Sequence, residues 1–139
     1  MTQRRGGLTR RHFLIVSVAF AAPLLVRRPW EMVDPLGSGA DATAERLAAV
    51  VRRPDSARII GQAFLRVSSE RTTTALVSGI VSSLPGGSRA IADSADEADV
   101  RELLVERIRQ DFTEEAVVEL DGWIVSRTEA RLCGIVALG

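Results

Sequence analysis

The stretch Asp121-Gly122-Trp123-Ile124-Val125-Ser126-Arg127-Thr128-Glu129-Ala130-Arg131-Leu132-Cys133-Gly134-Ile135-Val136-Ala137-Leu138 decides the fold. Asp121-Gly122 is turn chemistry. The β-branched run Ala116-Val117-Val118-Glu119-Leu120 before it and Trp123-Ile124-Val125 after it predict a tiny hairpin. Arms this short are marginal alone, so the hairpin has to lie on other elements. Ser126-Arg127-Thr128-Glu129 reads as a capping box, in which the serine oxygen accepts the Glu129 N–H and the glutamate reaches back to the Ser126 N–H. The helix it opens, Arg127 to Leu138, is polar only at Arg127, Glu129 and Arg131. A helix apolar nearly all round needs cover on nearly all sides. Either it is the central helix of a bundle, or one of its faces meets a partner.

Four amphipathic segments precede it and supply that cover. Asp41 is an N-cap candidate for Ala42–Arg52, where Leu47, Val50 and Val51 form one stripe and Pro54 ends the helix. Asp55 caps a second segment, with Ile59, Ile60, Ala63, Phe64 and Val67 at helical spacing. Leu76, Val77, Ile80, Val81 and Leu84 repeat the offsets in a third, closed by Pro85-Gly86-Gly87. A fourth starts near Asp96, with Val100, Leu103, Leu104 and Ile108 inward and Glu102, Glu106 and Arg109 outward. The expectation is a mainly all-α domain over residues 41–139, a small bundle of about five helices with a short β-hairpin before the last. Residues 31–40, with Pro35, Gly37, Ser38 and Gly39, read as a flexible connection.

Residues 1–30 have a different character. Six arginines (Arg4, Arg5, Arg10, Arg11, Arg27, Arg28) and no acid flank the uncharged run from Phe13 to Val26. A helix of that length reaches ~21 Å, short of the ~30 Å hydrocarbon core, so it reads as a signal segment rather than a span. Ala19-Phe20-Ala21 offers a small-x-small site for cleavage before Ala22. Uncleaved, the segment would anchor weakly, with Arg27, Arg28 and Trp30 at the headgroups.

Composition removes much chemistry from the rest. The 139 residues hold one cysteine, one histidine and no tyrosine, and all 18 basic residues are arginine. An internal disulfide and a four-ligand zinc site are both out of reach. Residues 31–139 carry the remaining 12 arginines against all 18 acids, a net charge of −6. A body of that sign has no clustered positive charge for nucleic acid. Asp93-Ser94-Ala95-Asp96-Glu97-Ala98-Asp99 lacks the alternation and central glycine of a calcium loop and reads as a solvated N-cap region. Cys133 has no histidine to pair with, because His12 lies in the signal segment, and a buried inert thiol is expected. No glycine-rich phosphate loop, cysteine cluster or lysine for a Schiff base is present, so no cofactor is expected.

Thr9-Arg10-Arg11-His12-Phe13-Leu14 resembles the twin-arginine export motif, carried by Arg10, Arg11, Phe13 and Leu14, with Ile15 where that motif often has lysine. Arg27-Arg28 after the apolar run also resembles twin-arginine rather than general secretory signals. The closing segment, W-x-x-S-x-T-E-A-R-L-C from Trp123 to Cys133, is similar to that of small bacterial twin-arginine proteins with no assigned activity; Gly134 departs from it. The resemblance covers about 18 residues besides the signal and supplies no catalytic residue. It implies a partner in the twin-arginine translocase and a place in the periplasm or at the outer face of the cytoplasmic membrane, with membrane contact only through an uncleaved signal. Cargo of that route is folded before export, commonly around a cofactor or with a companion. By analogy the chain looks like the small twin-arginine subunits of exported flavin-dependent dehydrogenases. The expectation is a non-catalytic accessory subunit that escorts a larger, redox enzyme through Trp123, Arg127, Arg131 and the last helix. For Trp123 the competing reading is a core tryptophan beside two surface arginines. A free-standing envelope domain is the alternative, and a small hydrolase using Ser126 or Asp111 comes third.

Overall fold

The computed structural model describes the backbone of residues 36–139 and side chains from residue 39. Arg10, Arg11, Phe13, Leu14, the cleavage site and the first half of the expected connection lie outside those residues. Six helices and one hairpin follow in order: α1 (Leu36–Ala49), α2 (Pro54–Val67), α3 (Thr73–Ser83), α4 (Ser88–Ala92), α5 (Glu97–Thr113), β1 (Val117–Leu120), β2 (Trp123–Ser126) and α6 (Arg127–Leu138). The architecture is the mainly helical bundle expected, with the hairpin in the expected place.

Boundaries differ in instructive ways. The first helix begins at Leu36, so residues 36–40 are helical and Asp41 sits inside α1 rather than at its cap. Ala40 and Thr43 lie beside Val77 and Ser78 of α3, and packing of this kind overrides the poor helix propensity of the glycines. Pro54, expected as a stop, opens α2 at its first turn, where a missing N–H costs nothing. Asp55 therefore stands within α2, in its first turn, and Arg53 occupies the cap without a side-chain bond. Residues 88–92, which the sequence reading assigned to no element, form the extra helix α4, whose Ile91 is buried.

The buried face of α2 is rotated from the expected stripe. Ala57, Gly61, Ala63 and Phe64 are buried, whereas Ile59 and Val67 stand out in solvent. Gly61 explains the rotation: a Cβ there would fall on the Cys133 carbonyl oxygen and lie 2.8 Å from the Ala137 Cβ. The two helices approach so closely that only a small-residue face of α2 fits against α6. The expected inward stripes of α1, α3 and α5 fare better, with Leu47, Leu76, Ile80, Val100 and Leu104 among the most deeply buried side chains. Asp96 caps α5 by accepting the Ala98 and Asp99 amides at 2.7 and 3.0 Å, as the acidic run implied.

α6 occupies the centre. It touches α1, α2, α3, α5 and both strands, and Thr128, Ala130 and Leu132 through Val136 are all buried on it. The central-helix reading of its apolar circumference is the one realised. Gly134 has a packing reason, since a Cβ there would lie 3.0 Å from Leu76 Cδ1.

Candidate partner interface

The hairpin projects from the bundle on a two-residue turn. Asp121 and Gly122 have φ of 49° and 85°. Paired positive values of this kind belong to a turn whose twist matches antiparallel strands. The register places Leu120 opposite Trp123 and Val118 opposite Val125 on one face, and Glu119 opposite Ile124 on the other. Leu120 and Val125 are buried and Val118 packs against the core. Trp123 shares that face but sits at the tip, beyond the edge of the core, and is 76% exposed; Ile124 on the opposite face is 66% exposed. The core-tryptophan reading is thereby corrected.

At the base of the hairpin the two flanking helices, α5 and α6, are tied together. The last turn of α5 ends with Glu115 at φ 56°, the Glu115 amide bonded to the Phe112 carbonyl and the Ala116 amide to the Asp111 carbonyl. This is a Schellman stop with glutamate where glycine is usual. Arg107 bonds Asp111 Oδ1 at 2.9 and 2.6 Å and Glu114 Oε2 at 2.6 Å. The other Asp111 oxygen accepts the Thr128 amide at 2.7 Å, so a carboxylate of α5 satisfies an otherwise unpartnered N–H in the first turn of α6. Burial pushes the Asp111 carboxyl up, but the Thr128 amide and Arg107 outweigh it and hold it below its ordinary value. Ser126 accepts the Glu129 amide at 3.0 Å, the first half of the capping box. The return bond from the Glu129 carboxylate is not made, and that side chain points elsewhere.

The proposed interface residues do not stay together. Arg131 is held inside: it bonds both Glu70 oxygens at 2.7 Å and the Gly79 carbonyl at 2.9 Å, leaving its side chain 13% exposed. The Arg131 hydrogen bond outweighs burial and holds the Glu70 carboxyl below its ordinary value. Gly79 admits this guanidinium, because a Cβ there would stand 2.6 Å from Arg131 Cζ. Arg127 is exposed and makes no ion pair among the described residues. Trp123 and Arg127 thus remain as outward candidates, and Arg131 is a clamp between α6, α3 and the α2–α3 connection.

Ser126 and Asp111 are both buried, and their oxygens are committed to helix capping and to Arg107. Burial first, and then the Glu129 carboxylate, push the Cys133 thiol up to about 11, far from a reactive thiolate. The Arg107–Asp111–Glu114 network was legible as an i, i+4, i+7 series along one helix. The bond between Glu70 and Arg131 joins distant parts of the chain and left no local signal. No cluster of three metal-binding side chains and no helix long and apolar enough to cross a membrane occurs among the described residues. No known family matches the chain, and no curated protein and no solved structure matches it either.

Proposed function

We propose that this chain is an exported accessory subunit, carried by the twin-arginine route, which escorts a larger enzyme of redox type and holds it through the tip of the hairpin. One observation carries the reading: a tryptophan 76% exposed at the end of a hairpin whose base is closed by the Arg127 amide on the Ala116 carbonyl, between two helices tied by Asp111 and the Thr128 amide. A large aromatic side chain held out on a rigid support loses little entropy on docking, and tryptophan is among the residues enriched at binding hot spots. The export motif around Arg10 and Arg11 supports the destination.

The test uses a photo-crosslinking residue at position 123 in the native envelope, with the same residue at exposed position 55 as control. A single large adduct at 123 and none at 55, together with release of the companion by Trp123→Ala, is expected. Replacing Arg10 and Arg11 with lysine should leave both proteins in the cytoplasm. Recovery of a monomer with no adduct at native expression would refute the escort and leave a free-standing envelope domain.

A further inference from the structure

The end of α1, the α1–α2 corner, α5 and α6 enclose an open hollow of 360 Å³. That volume lies within the span of about 300–1,000 Å³ found for small-molecule sites. Its floor is apolar, formed by Ile60, Leu104, Ile108 and Leu132, and its charged groups are Arg52, Arg53, Arg101 and Glu129. These groups are poorly partnered. Among the described residues Arg52 and Arg53 make no ion pair, and Arg101 reaches only Glu97, at 4.0 Å. The Arg101 Nε is buried without an acceptor. Glu129 has no cation beside it among the described residues, and burial pushes its carboxyl up.

The fold separates the two signs of charge. Asp111 receives the Thr128 amide, so the end of α5 lies over the start of α6 and Glu129 belongs to the Ile108 end of the hollow. Arg101 stands two turns back along α5 from Ile108. At the rise of an α-helix that is a separation of about 10 Å. Arg52 and Arg53 precede α2, whose Ala57 packs with Val136 near the far end of α6, and so join Arg101. A cationic end and an acidic end therefore face each other across an apolar floor.

We propose that this hollow binds an extended apolar tripeptide, with its C-terminal carboxylate at Arg52, Arg53 and Arg101 and its amino group at Glu129. Three extended residues span about 10 Å, which matches the rise of α5 between the Arg101 end and the Ile108 end of the hollow. A fatty acid satisfies the arginines equally but drives hydrocarbon across the Glu129 carboxylate and strips its water without replacing it. The site is independent of the hairpin reading, because it uses neither Trp123 nor Arg127.

Calorimetry on the full chain with Leu-Val-Leu, its N-acetyl form, its C-terminal amide and laurate tests the assignment. The free peptide should bind, and either blocked form should bind about tenfold more weakly or worse, the weight of one charge-assisted hydrogen bond. Glu129→Gln should weaken the free peptide by a similar factor and leave the N-acetyl form unchanged; the Ser126 cap survives because it uses the residue 129 amide. Cys133, the only cysteine, lines the hollow, so bound peptide should slow its alkylation at alkaline pH. No binding, equal affinity for free and blocked peptides, or tighter binding of laurate would each overturn the proposal.

Discussion

Asp111 accepts hydrogen bonds from two elements at once, Arg107 on its own helix and the Thr128 amide of α6, at an almost fully buried position. Asp111→Ala leaves the Arg107 guanidinium with Glu114 as its one carboxylate, beside Gln110 and the Ser83 carbonyl, and strands a buried amide; losing one member of a buried pair costs about 3–5 kcal/mol. Asp111→Asn keeps the shape but lacks the charge. The carboxyls of Asp111 and Glu70 are both held below their ordinary values in the folded protein. The stability they contribute is therefore fully present above the unfolded values of about 4 and lost as pH falls through the lower folded values. The urea midpoint should fall steeply below about pH 4. Asp111→Asn should start lower at pH 7 and lose less on acidification, and an equal acid loss in variant and parent would contradict the assignment.

The contact between α2 and α6 and the stop of α5 show how elements are joined. Gly61→Ala places a methyl group on the Cys133 carbonyl, which is helix backbone and cannot rotate away, so the helices must separate. A loss of about 3 kcal/mol or more is expected, at the upper end for overpacking, read as a fall in urea midpoint. Gly134→Ala meets the movable end of Leu76 closely and the Phe64 ring at ordinary contact distance, and should cost less. Glu115 holds a left-handed conformation, with φ at 56°. Such a conformation costs an L-residue about 1–2 kcal/mol. Glu115→Gly should raise stability by about 1 kcal/mol; no gain would mean that its side chain compensates. The sequence disclosed α1, α2, α3, α5, α6 and the Asp121-Gly122 turn because those signals are local. It misplaced the face of α2 because Gly61 reads as a weak helix residue until the neighbouring helix is in place. It placed Arg131 outside for a related reason: its partner Glu70 and the opening at Gly79 are distant in sequence.

At the scale of the molecule, α6 is the element that every layer except α4 contacts closely, and the sequence announced this through an apolar circumference that one amphipathic neighbour cannot cover. Where the escort reading places function is the opposite case, a tip whose exposed Trp123 touches little of the core. This contrast predicts a gradient of local stability. Amides of Leu132, Cys133 and Ile135 lie in the middle of a helix buried by four others, so their exchange with solvent requires the bundle to come apart. Amides near Trp123 and in the short helix α4 can open while α6 remains covered. Native-state hydrogen exchange should therefore give opening free energies for the three α6 amides within about 1 kcal/mol of the global value from urea unfolding, and values several kcal/mol lower at the hairpin tip and α4. Equal protection throughout would make the tip as rigid as the core. Early exchange of Leu132 and Ile135 would remove α6 from the centre of the fold, and with it the rigid base on which the docking of Trp123 depends.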